Sequence, residues 1–443
     1  MQFVYMTQRQ YRGLTEDQVY EHGSFFTFPN AAHDPKQASD DHNAYFDQAV
    51  LAEQVGFDGV ALNEHHMTPF CLGSVVDVEA AILARITERI KIILIGNPIT
   101  ASRNPIRLAE ELAMIDSISR GRLVTGWVRG SGPEQFANNA NPAYNREMFE
   151  EGHDLIVQAW TRPGPWRYEG KHFHYRHINP WALPYQKPIP PAMVPGVLSR
   201  ETALWAVSQS YPYIGLGSAL RSSADLWNFY ADEAAARGWQ AGSENFGHVV
   251  FVYCDQSSER AQEVGRKMLY GGGNANFAKA QYTLPAGYNS PAAIKRLAGA
   301  PQSGWLGVTK ESLNEATVGS RSDSVAEGYR KTQATYEKMR QELQVVVGTP
   351  EEVTEKLKIV MRCIRPGMLI MVSQGVLGTE DRSRSIQLIG QHVLPELRAE
   401  GQRLGLTDMF ERQPGSVRLD PGQTRAPVVD MDAIEEFLAS PTP

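Results

Sequence analysis

Short aliphatic runs alternate with helical patterns between Phe57 and Val128, and that rhythm leaves few architectures open. Val60-Ala61-Leu62 is too short for a helix and sits between glycine breaks and a polar cluster, which predicts a buried strand. Asp77 to Ile90 carries Val78, Ala81, Ile82, Ile86 and Ile90 at helical spacing. Lys91 to Ile95 reads as the next strand. Asn104-Pro105, an N-cap followed by a proline at the first helical position, opens a helix that stops at Gly121. Leu123 to Val128 is a further strand. Strands and amphipathic helices in this order are the mark of a parallel sheet covered by helices.

Each strand ends in a polar or glycine-rich break: Glu64-His65-His66, Gly96-Asn97-Pro98 and Arg129-Gly130-Ser131-Gly132. In parallel α/β architectures the C-terminal strand ends are where sites are built. Histidine titrates nearest neutral pH, so His65 and His66 beside Glu64 are candidates for proton transfer. Arg129 offers a planar donor fork suited to phosphate. Ser199 to Thr202 opens a helix after a glycine, where free N–H groups and hydroxyls form an anion seat.

The remaining chain extends the pattern. Phe3 to Met6 is a first strand. Thr7 to Asn43, rich in aromatics such as Tyr11, Phe25, Phe26 and Phe28, is expected as a structured loop over the mouth of the fold. Helices are expected over Ala44–Val55, Asn145–Trp160, from Ser199 to about Ser208, Leu226–Arg237, Glu351–Met361 and, last, Ser383–Leu397. Strands are expected over Ala192–Val194, Tyr213–Leu216, His248–Cys254 and Met368–Val372, and a short hairpin around Tyr168-Glu169-Gly170-Lys171. The count is about eight strands, the number one (β/α)8 TIM barrel needs. The expected organisation is a single domain over 1–412 with a mobile lid insertion at 270–332, then a Pro/Gly-rich tail at 413–443.

A net charge of -7 argues against a nucleic-acid or anionic-membrane surface. Three distant cysteines fit a reducing cytoplasm better than a disulfide framework or a zinc ribbon. The first residues carry no signal-peptide pattern, and no run approaches the roughly 18 apolar residues of a membrane span. His172, His174 and His177 lie at spacings that fit no helix face, so no metal site is expected. No nucleophile elbow or phosphate-binding Gly-x-x-x-x-Gly-Lys motif is present, and Cys71 reads as a buried thiol rather than a nucleophile.

Taken together, Gly56-Phe57-Asp58, Glu64-His65-His66, Asn104-Pro105-Ile106-Arg107, Asp116 to Leu123, Gly126-Trp127-Val128-Arg129-Gly130, Ser199 and Thr202 before Trp205-Ala206, and Val347-Gly348-Thr349-Pro350 resemble, in that order, the bacterial luciferase-like family of flavin-dependent monooxygenases. The match is strongest from Phe57 to Ala206. The resemblance implies a (β/α)8 TIM barrel with an insertion, binding reduced FMN (FMNH2) at its C-terminal face. It implies that Arg129, Gly130, Ser199 and Thr202 hold the cofactor, that Gly96-Asn97 lies under the flavin ring, and that His65 is catalytic with His66 and Glu64 beside it. It further implies O2 and a small organic substrate, a separate flavin reductase, a flavin C4a-(hydro)peroxide as oxidant, and a homodimer. Leu198 replaces an acidic residue of the luciferases, and Val128 stands in place of their reactive cysteine. Both departures count against light emission and a long-chain aldehyde substrate. The aromatic loop points to a largely apolar or aromatic substrate. A deazaflavin-dependent hydride-transfer enzyme on the same barrel and a non-catalytic flavin-binding protein are the alternative readings.

Overall fold

A computed structural model describes residues 1–102, 104–197, 199–283, 287 and 324–439 of the chain. Its strands in chain order are β1 (Gln2–Met6), β2 (Gly59–Leu62), β3 (Lys91–Leu94), the two-residue β4 (Asn97–Pro98), β5 (Leu123–Val128), the hairpin β6 (Trp166–Glu169) and β7 (His174–Ile178), then β8 (Ala192–Gly196), β9 (Tyr213–Gly215), β10 (Phe246–Cys254), β11 (Val345–Gly348) and β12 (Met368–Val372). Eight of them close a parallel barrel: β1 pairs β2, then β3, β5, β8, β9, β10 and β12 follow, and β12 returns to β1. β11 is an additional parallel strand along the second half of β10.

Strand alternation sorts the side chains into two cores. Val4, Met6, Ala61, Ile93, Val124, Met193, Ile214, Val249, Ile370 and Val372 fill the barrel. Phe3, Tyr5, Val60, Leu62, Ile92 and Leu94 face outward against the helices. Those helices are α1 (Glu16–His22), α2 (Pro35–Gln54), α3 (Val76–Ile86), the single turn α4 (Ile99–Ser102), α5 (Pro105–Ser119), α6 (Gly132–Ala137), α7 (Asn145–Thr161), α8 (Arg200–Gln209) and α9 (Leu220–Ala236), with later ones at Val325–Gln341, Pro350–Ile364, Thr379–Leu388, Leu394–Arg403 and Met431–Ala439. Among the described residues no helix is long and apolar enough to cross a membrane.

The caps act as the sequence implies. Asn104 accepts the Arg107 N–H at 3.0 Å, and α5 ends on Arg120 in the left-handed region before Gly121. Several elements differ from expectation: α9 begins at Leu220 rather than Leu226, β10 at Phe246 rather than His248, and four further cases have a visible cause. α2 starts at Pro35 rather than Ala44, because Asp34 caps it and its polar first half is held by the buried Asp41, whose carboxylate takes the Arg12 guanidinium at 2.6 Å. α3 ends at Ile86 rather than Ile90. The Glu53 carboxylate captures the N–H groups of Glu88, Arg89 and Ile90 and turns them out of the helix. The stretch expected to lack regular pattern contains the start of the Val325–Gln341 helix. Ser383–Leu397 is not the last helix: Met431–Ala439 follows, burying Ile434 and Phe437, and Asp430 anchors its start to the Cys363 carbonyl at 2.9 Å.

The 7–33 segment, with α1 at its centre, packs on the insertion that follows β10. Phe25 and Phe26 donate backbone hydrogen bonds to Asn276 and Phe277, both at 2.8 Å, and Tyr11, Val19, Phe25, Phe70 and Tyr270 share one apolar cluster with Phe277 against it. Residues 288–323, most of the stretch expected as a lid, lie outside the described residues.

Candidate active site at the barrel mouth

The C-terminal end of β2 releases Glu64, His65 and His66 into a divided hydrogen-bond system. His66 Nε2 lies 2.9 Å from Glu64 Oε1, and Glu64 Oε2 accepts the Val76 N–H at the start of α3. His65 turns the other way. Its Nδ1 lies 2.9 Å from Oε1 of Glu134 on α6, a carboxylate whose second oxygen takes the Ser131 N–H and hydroxyl. Glu134 is buried and acceptor-only when ionised, so it fixes the Nδ1–H tautomer of His65 and leaves Nε2 to exchange a proton. Phe70 and Phe277 flank the ring, with centroids at 5.8 and 5.0 Å. Glu134 was missed in the sequence; the signal available was the Ser131-x-x-Glu134 capping box just beyond the β5 end.

The hydrogen bond and the charge of Glu64 raise the His66 pKa against the opposing effect of burial. Asp77, at the start of α3, is pushed up to about 7 by burial and by the charge of Glu64, while the hydrogen bond from Asn97 Nδ2, at 3.2 Å, acts the other way. Glu64 is thus hydrogen-bonded to His66, and its charge acts on Asp77, which Asn97 holds. Asn97 Oδ1 is buried with no partner among the described residues.

Gly96 and Gly126 bring the β3 and β5 backbones into close approach. A Cβ on Gly126 would overlap the Leu94 carbonyl oxygen, and one on Gly96 would overlap the Gly126 carbonyl. Beyond them Gly130 has φ +81°, and the Arg129 carbonyl accepts from the Thr100 hydroxyl and from Gln135 Nε2. The Arg129 guanidinium donates to Asn145 Oδ1 at 2.9 Å. Ser199 caps α8 by accepting the Thr202 N–H at 3.3 Å, and the two hydroxyls are 3.1 Å apart. Burial drives the Tyr213 phenol pKa upward, and the Ser199 backbone and the Arg129 charge act the other way. The structure joins His65 through Glu134 to the Ser131 and Gly130 turn that Arg129 precedes beyond β5, brings Glu64 to His66 and Asp77 to Asn97 at the β2 and β3 ends, and sets Ser199 and Thr202 at the start of α8 after β8. Leu198 lies outside the described residues.

Two expectations concern other residues. Burial pushes the Cys71 thiol up to about 11, against the nearby Arg9 charge, which leaves it a poor nucleophile. His172 Nε2 meets Glu147 at 3.1 Å, and no group of three or more metal-binding side chains exists among the described residues.

Comparison with known proteins adds three findings. Residues 21–362 match the family model of luciferase-like monooxygenases. The alkanal monooxygenase alpha chain of Photobacterium leiognathi is 26% identical over 225 residues, covering 50% of this chain and 62% of that one. The chain spans 62 to 64% of the length of such curated relatives. Among solved structures, the oxygenating constituent of 3,6-diketocamphane monooxygenase from Pseudomonas putida, a type II Baeyer–Villiger monooxygenase in complex with FMN, superposes with a TM-score of 0.61 at 16% identity, covering 89% of this chain and 99% of that one. The coenzyme F420-dependent tetrahydromethanopterin reductase of Methanopyrus kandleri superposes with a TM-score of 0.58 at 16% identity, covering 89% and 98%.

Proposed function

Because the chain belongs to the luciferase-like monooxygenase family, we propose that it is a two-component monooxygenase that takes reduced FMN from a separate reductase and oxygenates a small organic substrate with O2. The observation that carries this reading is the pairing of His65 with the buried Glu134 at the C-terminal strand ends of a barrel that also offers an anion seat at the start of α8. The donor set of that seat fits a flavin phosphate: one guanidinium, two hydroxyls and the N-terminus of the ten-residue helix α8. Arg129, Ser199 and Thr202 hold the phosphate, and the close-packed Gly96–Gly126 wall with Asn97 receives the ring.

When bound, reduced flavin supplies two electrons, so that one oxygen atom of O2 enters the substrate and the other leaves as water. The protein's own residues handle protons and water. His65 Nε2 accepts or donates the proton at the reacting centre, and Glu134 stabilises the imidazolium while His65 carries it. Phe70, Phe277 and the aromatic cluster above them pack against the His65 ring and limit its contact with water, which strengthens the charge interactions there. Glu64 holds the neighbouring His66 by a hydrogen bond beside His65.

The test is turnover under 18O2 with reduced FMN and a panel of cyclic ketones, phenols and aldehydes. Incorporation of one labelled oxygen per product supports the reading. Reduction of substrates by reduced F420, with no label gained from 18O2, would replace it with hydride transfer.

A further inference from the structure

We propose that Gln374, Gln8 and Asn63 form a substrate-orienting subsite at the barrel mouth, and that it takes the carbonyl or hydroxyl oxygens of an uncharged organic substrate. This inference rests on the mouth being the active site.

The row follows from register. Met6 of β1 stands opposite Val372 of β12 and Ala61 of β2, and all three side chains belong to the filling of the barrel. Two residues beyond each, strand alternation places Gln374, Gln8 and Asn63 on the same inward face, one level nearer the mouth. The ladder continues to that level: Ser373 donates its N–H to the Met6 carbonyl at 2.8 Å. Asn63 Nδ2 donates to Gln8 Oε1, which fixes those two side chains on one face. At the same level on the next strands stand Ile95 and Gly126, continuing the pairing of Ala61 with Ile93 and of Ile93 with Val124. The mouth is therefore amide-lined along β12, β1 and β2 and apolar along the neighbouring β3 and β5.

Gln8, Asn63 and Gln374 are all buried, at 1%, 5% and 0% exposure. Asn63 Oδ1 and both amide atoms of Gln374 have no hydrogen-bond partner among the described residues. Such groups in a native protein call for an explanation, because an unmet buried donor or acceptor costs more than the bond it would make. Their supports are made with care. The buried Arg382 donates to Ser373 and Gly375, the carbonyls on either side of Gln374, and to the Thr7 hydroxyl just before Gln8. The buried Arg9, paired with Glu79 at 2.9 Å, donates to the Asn63 carbonyl. Two guanidiniums thus hold the backbone of the row while its amide ends stay unspent. The Gly271-Gly272-Gly273 turn, positive in φ throughout, roofs it; a Cβ at Gly273 would come 3.4 Å from Gln374 Nε2.

The chemistry of the row selects its ligand. Carboxamides both donate and accept, so they pair equally with a hydroxyl or a carbonyl. The amides themselves carry no charge, so the row recognises by hydrogen bonding and offers no ion pair of its own. With one polar side only, the subsite also orients: the oxygen function points at β12, β1 and β2, and the hydrocarbon lies toward Ile95 and Gly126.

The experiment uses the full chain loaded with FMN and two matched probe pairs, 1-naphthol with naphthalene and cyclooctanone with cyclooctane, titrated through the flavin spectrum. In the wild type the oxygenated member of at least one pair binds about tenfold tighter or more. Gln374→Met reduces that ratio below about threefold and leaves FMN affinity within about twofold, since the row sits apart from the phosphate seat. Asn63→Leu is the second variant, read the same way if Gln374→Met does not fold. A wild type that discriminates neither pair, or a folded variant that keeps the full ratio, overturns the subsite. Failure of the wild type to bind FMN, read before any probe is added, overturns the active site itself and the subsite with it.

Discussion

Where β3 meets β5, the barrel mouth is walled by backbone. Gly96 and Gly126 approach so closely that neither leaves room for a Cβ; Asn97 follows Gly96 directly, and Arg129 comes three residues after Gly126. On the adjoining arc, β12, β1 and β2 wall it with side chains, in the amide row of Gln374, Gln8 and Asn63. The difference teaches which properties each wall can fix. Packed backbone excludes alternatives absolutely and makes a rigid bed for a planar ring. A row of amides leaves shape open and selects by hydrogen bonding, so it is the wall on which specificity can change without loss of the fold.

The sharpest way to break that contrast is to put a side chain into the backbone wall. Gly126→Ala should cost about 3 kcal/mol or more in urea denaturation, because the Cβ has nowhere to go but the Leu94 carbonyl. An unchanged midpoint would mean that the wall yields as readily as its counterpart. Next in size is chemistry between the walls. His65→Ala should lower turnover by about a hundredfold or more while reduced-FMN affinity stays put, as expected for a proton-transfer group; equal turnover in stopped-flow assays would remove His65 from the mechanism. Arg129→Met tests the backbone side again. It should weaken FMN binding by about tenfold to a hundredfold, the value of charge-assisted hydrogen bonds, and leave riboflavin, which lacks the phosphate, unaffected. Equal losses for both would point to a collapsed wall rather than a lost phosphate contact.

The smallest effect concerns pH. Asp77 holds a proton up to about pH 7 in the folded chain, against an ordinary value of 3.8. Between these values the folded state binds a proton that the unfolded state has released, so stability falls as pH rises through that window and is flat above it. His66, raised above its ordinary value, also contributes stability at low pH that is lost as pH rises through its folded pKa. Asp77→Asn should therefore gain about 1–3 °C in melting temperature at pH 8, with the gain vanishing toward pH 4. A gain of equal size at both pH values would trace to packing instead of the buried charge.

The contrast between the walls also explains what could be read from the chain. The barrel was legible because strands such as β2, β3 and β12 are short apolar runs and helices such as α5 carry their own cap, Asn104-Pro105. Glu64-His65-His66 and Arg129-Gly130 were legible as candidates because each breaks such a run within a few residues. Glu134 was harder, since its partner is 69 residues away and its capping box gives it a sufficient local role. The amide row was invisible: isolated Gln and Asn residues on three strands form a unit only through register, which no local pattern encodes. Helix α2 was shortened because its buried polar face, held by Asp41 and Gln48, interrupts the apolar stripe on which periodicity depends. Met431–Ala439 went unread as a helix because its anchor, the Cys363 carbonyl, belongs to another helix far back in the chain.

The most direct measurement is an anaerobic titration of the purified chain with reduced FMN and, separately, with reduced F420, followed by mixing with oxygenated buffer. The account predicts saturable binding of reduced FMN that Arg129→Met weakens at least about tenfold, and oxygen uptake that yields oxygenated product once a substrate bearing a carbonyl or hydroxyl is present. Binding of F420 with no affinity for reduced FMN would contradict it, and the barrel mouth would then belong to hydride transfer.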